Sequence, residues 1–205
     1  MAASRPRGLY AITPECADTA LLLQKVAAVL PHVALLQYRG KLPDARLRFE
    51  QASALARACR AAAVPLIVND DAALASRCGA DGVHLGEHDG SVASARQLLG
   101  PNAIIGVSCY NDLLRGQQAT QAGADYLAFG AMFPSPTKPA ARRAGLPLLG
   151  QARTLGLTVV AIGGITPDNG RQVVRAGADL LAVVSGLFDA PDPATAAQAY
   201  RACFN

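Results

Sequence analysis

Tryptophan is absent from this chain, aromatic residues make up only 5% of it, and no run of basic residues is longer than the Arg142-Arg143 pair. Nucleic-acid backbones are gripped by basic stripes, often with aromatic stacking platforms. The formal net charge of +4 therefore points to small anionic substrates. The longest stretch without Asp, Glu, Lys or Arg runs from Gln97 to Asn111 and contains Gly, Pro, Asn and Ser, unlike the roughly 18 or more apolar residues of a membrane span. The five cysteines, Cys16, Cys59, Cys78, Cys109 and Cys203, are scattered and never form a CxxC pair, which excludes a zinc knuckle and a disulfide framework and predicts reduced thiols. The amino terminus lacks the apolar stretch of a secretory or transit segment, which predicts a cytoplasmic protein. No GxGxxG fingerprint follows Thr13, and no GxSxG elbow surrounds Ser108.

What is present is a hydrophobic content of 51% against 17% charged residues, a balance that excludes a disordered chain. At roughly 150 residues per domain, 205 residues predict one domain over 1–205. Eight short apolar runs recur: GLYAIT, VALLQYR, PLIVND, DGVHLG, NAIIGVS, DYLAFG, LTVVAIGG and DLLAVVSG. Alanine-rich stretches of helical spacing, such as Asp44 to Ala63 and Asp112 to Ala122, lie between them. The triplet Gly-Ala-Asp recurs at Gly79-Ala80-Asp81, Gly123-Ala124-Asp125 and Gly177-Ala178-Asp179. Each glycine stands where a helix C-terminus takes a left-handed residue, and each triplet opens an apolar run. Eight alternating strands and helices predict a parallel sheet closed as a single-domain (β/α)8 TIM barrel, with an open doubly wound sheet as the structural rival.

Polar residues gather at the C-terminal ends of these strands, where a barrel of this kind carries its active site. After strand two, Gln37, Arg39 and Lys41 project to one side and Tyr38 to the other, a doubly cationic row suited to an anion. Strand three ends in Asn69-Asp70-Asp71, and Glu87-His88-Asp89 follows strand four. One aspartate of the 70–71 pair serves as a helix cap, and Asp70 at the strand end is the better metal ligand. A carboxylate pair beside cationic groups suits Mg²⁺, whose shell is completed by water and phosphate oxygens. His84 and His88 do not share a helical face, so zinc is disfavoured. Ser108 at the end of strand five reads on its own as a hydroxyl capping the next helix, and Cys109 as inert. A proline-stiffened segment, Ser135-Pro136-Thr137-Lys138, lies within the irregular stretch Ala131 to Gly145, a candidate lid. Gly163-Gly164, ahead of a helix opening at Pro167, and Val184-Ser185-Gly186 stand after strands seven and eight, the customary phosphate position.

These segments together resemble the thiamine phosphate synthase family in order and spacing from Tyr10 to Phe188. The resemblance implies coupling of an aminopyrimidine methyl diphosphate to a thiazole phosphate, with Mg²⁺ as cofactor and release of pyrophosphate. Carried over by position, Gln37, Arg39, Lys41, Asn69, Ser108 and Lys138 would bind the pyrimidine diphosphate. Tyr38, Gly40 and Pro136 would lie in the same substrate-contacting segments. Asp70 and Asp89 would hold the metal, and Ser135, Thr137, Gly163, Gly164, Val184 and Ser185 the thiazole phosphate. Lys138, Arg39, Lys41 and Ser108 would be the catalytic groups, and the partners small molecules only, neither nucleic acid nor membrane, with homo-oligomerisation left open. Three positions depart from the family pattern: Gly40 and His88 stand where acids are common, and Ser135 where a threonine is. Lys41, Asp70, Asp89 and Lys138 favour this transferase over a thiazole tautomerase of the same barrel; a non-catalytic thiazole-phosphate sensor is the other alternative.

Overall fold

In the computed structural model, which describes residues 5–134 and 142–205, eight parallel strands close into a barrel in which β8 returns to pair with β1. The strands are β1 (Gly8–Ile12), β2 (Leu35–Tyr38), β3 (Leu66–Asn69), β4 (Gly82–Leu85), β5 (Ile104–Tyr110), β6 (Tyr126–Phe129), β7 (Thr158–Ile162) and β8 (Leu180–Val183). Around them run α1 (Thr19–Val29), α2 (Ala45–Ala61), α3 (Ala72–Cys78), α4 (Val92–Leu99), α5 (Leu113–Gln121), α6 (Leu146–Arg153), α7 (Pro167–Ala176), α8 (Ser185–Phe188) and α9 (Pro193–Arg201). The sequence predicts eight helices; α8, a single turn after β8, is the addition among the described residues. No helix there is long and apolar enough to cross a membrane.

Aspartates start many of these helices. Asp18, Asp44, Asp71, Asp112 and Asp192 each accept backbone N–H groups of the following first turn, replacing bonds a helix cannot make internally. Alternation along the strands sorts the apolar residues into two layers. Leu9, Leu36, Val68 and Val83 pack outward against the helices. Tyr10, Leu35, Ile67, Tyr126, Val160 and Leu180 fill the barrel interior.

The Gly-Ala-Asp triplets do more than end helices. The Asp81 N–H donates to the Leu66 carbonyl at 2.9 Å, and its carboxylate accepts the Leu66 N–H at 2.8 Å. Asp125 makes the same reciprocal pair with Ile105, at 2.8 and 2.7 Å. Asp179 does so with Val159, at 2.8 and 2.9 Å. β4, β6 and β8 are thus each clamped at their entry to the odd strand before them, at the face opposite the mouth. Replacing Asp179, which is only 7% exposed, with alanine orphans the Val159 N–H and should cost about 1–3 kcal/mol. Urea denaturation checks this, and an unshifted midpoint would remove the clamp from the stability of the barrel.

Candidate active site

At the C-terminal rim, Thr13 follows β1 fully buried and holds the end of β2. Its N–H donates to the Gln37 carbonyl at 2.9 Å and its hydroxyl accepts the Arg39 N–H at 2.9 Å. This fixes Arg39 over the mouth, a role that no sequence motif flagged for Thr13. Gln37 points into the barrel, where its Nε2 donates to the Tyr10 hydroxyl at 2.8 Å. Tyr38 faces the other way. Its hydroxyl donates to Gln51 Oε1 on α2 at 2.9 Å, and burial pushes its pKa up to about 12. The Tyr38 side chain therefore belongs to the outer core, so any contact of this position with substrate would be through its backbone. Gly40 lies against it, and a Cβ there would fall 2.3 Å from the Tyr38 hydroxyl, so an acid at this position would have to displace the ring.

Arg39, Lys41, Asn69, Asp70, Gly86, Glu87, His88, Asp89, Ser108 and Tyr110 line one cavity of about 310 Å³ at the mouth. Asp70, in the left-handed region at φ +64°, donates its N–H to the His84 carbonyl at 2.8 Å and pairs its carboxylate with the Lys41 ammonium. Asp71 is the cap of the 70–71 pair, accepting the Leu74 N–H at 2.8 Å, so Asp70 is the carboxylate left to the cavity. Asp89 turns back over Gly86, whose N–H it accepts at 2.8 Å. Asp70 and Asp89 influence each other across this cavity, and their protonation separates. Burial pushes Asp70 up, but the hydrogen bonds from Lys41 and Asp89 and the Lys41 charge outweigh it and hold the group below the usual carboxylate range. Burial and then the hydrogen bond and charge of Asp70 raise Asp89.

Two carboxyls forced together in this way fit a divalent cation, which relieves the repulsion that otherwise retains a proton between them. No group of three or more His, Cys, Asp or Glu side chains is gathered for a metal among the described residues, so such an ion would draw its other ligands from water and substrate. Zinc fits poorly: the His84 ring lies inside the barrel with both nitrogens hydrogen-bonded, while His88 stands on the exposed loop.

Ser108 sits on β5, which continues past it to Tyr110. It does not cap α5, as Asp112 does that. Instead its hydroxyl meets His84 Nε2 at 2.8 Å, and His84 Nδ1 meets the Tyr126 hydroxyl at 2.9 Å. Burial drives His84 down to about 4, against an opposing pull from Asp70, so the imidazole is neutral near pH 7. The Tyr126 ring reaches across the barrel only because residue 106 is glycine: a Cβ there would sit 1.8 Å from the ring. Arg115 on α5 is a second residue the sequence did not flag. It donates from Nε to the Ser108 carbonyl at 2.6 Å and from a terminal nitrogen to the Gly86 carbonyl at 3.2 Å, tying the ends of β4 and β5 together.

Across the mouth, Gly163 and Gly164 turn the chain from β7 toward α7 at φ +98° and +64°. The α7 helix begins at Pro167 behind the capping box of Thr166 and Asn169, and Asn169 also donates to the Gly164 carbonyl at 3.0 Å. Strand β8 stops at Val183; Val184 precedes α8 and Ser185 opens it. A glycine turn and a short extra helix after strands seven and eight form the usual phosphate cradle of this architecture. Ser135, Pro136, Thr137 and Lys138 lie outside the described residues, as does part of the expected lid. The ends of that segment meet through Ala131, which donates to the Arg142 carbonyl and accepts from Ala144, both at 2.9 Å.

The family model described as thiamine monophosphate synthase matches residues 9–187. The chain belongs to that family. It is 60% identical to the thiamine-phosphate synthase of Xanthomonas campestris pv. campestris over 198 residues, covering 97% of this chain and 96% of that protein. It is 57% identical to the thiamine-phosphate synthase of an Azoarcus species over 202 residues, 98% of each. The solved thiamine phosphate pyrophosphorylase of Pyrococcus furiosus superposes with a TM-score of 0.86 at 33% identity, covering 98% of this chain and 96% of that one. A 3-hexulose-6-phosphate synthase with TM-score 0.73 at 19% identity shows the barrel alone. The chain is thus a transferase of thiamine biosynthesis. If Arg115 ties the two strand ends, Arg115→Leu should speed amide exchange at Gly86 while leaving Val83 protected. Equal rates at Gly86 in both proteins would make the arginine a bystander.

Proposed function

We propose that this enzyme joins an aminopyrimidine methyl diphosphate to the ring nitrogen of a thiazole phosphate at the barrel mouth, releasing pyrophosphate, and that it works in the cytoplasm on these small molecules alone. The observation that carries this reading is one cavity in which Arg39 and Lys41 stand beside the Asp70–Asp89 carboxyl pair. Cations beside a hard oxygen pair suit a diphosphate brought in with a divalent ion. The residues that would hold Mg²⁺ are Asp70 and Asp89, and when bound it would neutralise charge growing on the departing pyrophosphate.

Arg39 and Lys41, joined by Lys138 on the resemblance, act as fixed positive charges on the leaving group, favouring it more as its bond breaks. Gln37, Asn69 and Ser108 orient the pyrimidine end. An electron-rich aminopyrimidine stabilises the methylene cation left behind, so the reaction calls for no protein nucleophile and no strong base. Gly163, Gly164, Val184 and Ser185 seat the thiazole phosphate, with Ser135 and Thr137 on the resemblance, so the ring nitrogen approaches the cation already aligned.

Incubating the protein with both substrates and Mg²⁺, and following products by chromatography, tests the reading. Thiamine phosphate and pyrophosphate should appear in equal amounts and vanish with chelator. Binding of thiazole phosphate without product would move the assignment to a tautomerase or a sensor. Lys138→Ala should slow turnover tenfold for each ~1.4 kcal/mol of leaving-group stabilisation it removes; unchanged turnover would take the lysine out of the mechanism.

A further inference from the structure

A continuous chain of neutral side chains crosses the interior of the barrel beneath the mouth. Gln37 Nε2 donates to the Tyr10 hydroxyl at 2.8 Å, and the Tyr10 and Tyr126 hydroxyls are 2.8 Å apart. Tyr126 then meets His84 Nδ1 at 2.9 Å, and His84 Nε2 meets Ser108 Oγ at 2.8 Å. Tyr10 and Tyr126 are 1% and 2% exposed. Their rings meet edge to face, and the His84 ring stacks on Tyr126, so the geometry is held by packing as well as by hydrogen bonds. Among the described residues the Tyr10 and Tyr126 hydroxyls each hydrogen-bond to their two neighbours in the chain, and the Ser108 hydroxyl to His84.

We propose that this chain has a fixed direction, set at Gln37, and that Tyr10, Tyr126 and His84 are positioning residues that make Ser108 a hydrogen-bond donor toward the substrate. The direction follows from proton counting. The Tyr10 oxygen accepts from the Gln37 amide, so its own hydrogen must go to Tyr126. If Tyr126 donated to Tyr10 instead, the Tyr10 hydrogen would be buried with no acceptor, a costly state. Tyr126 then passes its hydrogen on to Nδ1 of His84. A neutral imidazole that accepts at Nδ1 carries its hydrogen on Nε2, and this nitrogen donates to Ser108 Oγ. Ser108 keeps one free hydrogen, and its place in the cavity lining gives that hydrogen to the mouth.

The ligand atom facing Ser108 is therefore an acceptor, a diphosphate oxygen or a ring nitrogen bearing a lone pair, and a substrate N–H at that point would be rejected. The choice between such atoms rests on the proposed reaction; the direction of the chain does not. If the Gln37 amide presented its oxygen to Tyr10, every hydrogen would reverse. His84 would then carry its proton on Nδ1, and Ser108 would become an acceptor at the mouth.

The test begins with the free protein and needs no substrate. With three histidines in the chain, long-range proton–nitrogen spectra of ¹⁵N-histidine-labelled protein resolve each ring, and His84→Gln identifies the signal. The expected result is a single Nε2–H tautomer for His84. An Nδ1–H tautomer would overturn the proposal, whatever the enzyme turns out to make. The second arm is a double-mutant cycle on thiamine phosphate formation. Tyr126→Phe should lower kcat on the order of tenfold, the worth of one net hydrogen bond, while in a Ser108→Ala background the same change should cost almost nothing. Equal losses in both backgrounds would mean that Tyr126 only packs the barrel, and would also overturn the proposal.

Discussion

Because β8 pairs with β1 as well as with β7, no strand of this barrel can slip by one residue unless every other strand shifts with it. A one-residue slip would also turn the inward side chains out. Closure therefore converts a row of letters on β2 into a fixed division of labour. Gln37 is committed to the interior and Tyr38 to the helix layer, with Arg39 delivered to the rim by the grip of Thr13 on its backbone. The three aspartate clamps act at the entry face, where each pins a pair of strands before the polypeptide reaches the mouth. These clamps stand at one end of the barrel and the proposed chemistry at the other.

The same register brings together residues from strands distant in sequence. Glycine at 106 opens the space that the Tyr126 ring occupies, and that ring connects β1, through Tyr10, to β4 and β5, through His84 and Ser108. Arg115 joins the latter two strands again from outside by holding both the Ser108 and Gly86 carbonyls. Gly86 in turn donates to Asp89. The position of the cavity carboxylates is thus set partly by a helix that never enters the mouth.

How far this was legible from the amino-acid sequence depends on the range of each interaction. Alternating apolar runs, aspartate caps and the Gly-Ala-Asp triplets act over a few residues, and they predicted the closed (β/α)8 barrel and the separation of Asp71, a cap, from Asp70. The second use of the triplet aspartates, as reciprocal strand clamps, depends on a neighbouring strand and leaves no local mark. Ser108 illustrates the same limit. Beside a helix start it looked like a cap, but Asp112 is better placed for that bond, and the true partner of the hydroxyl lies 24 positions away on β4. For Tyr38 the alternation along β2 reads correctly from the sequence: its side chain turns away from Gln37 into the helix layer. The four-residue α8 is too short to show helical periodicity at all.

Charge is also graded along the barrel axis in a way that suits the proposed reaction. The charged groups, Arg39, Lys41, Asp70, Glu87 and Asp89, stand at the rim, whereas the floor beneath them is built from Gln37, Tyr10, Tyr126, His84 and Ser108, all uncharged near pH 7. A protonated histidine in that floor would repel a cation formed above it and would compete with the rim for the departing anion. Burial prevents this by driving His84 down to about 4, and it also raises the Tyr10 and Tyr126 hydroxyls beyond reach of ionisation. In the proposed reaction, positive charge would therefore be offered to the leaving pyrophosphate and withheld from the carbon it leaves. That separation would let one small cavity favour ionisation of a bond without a base and without a nucleophile of its own.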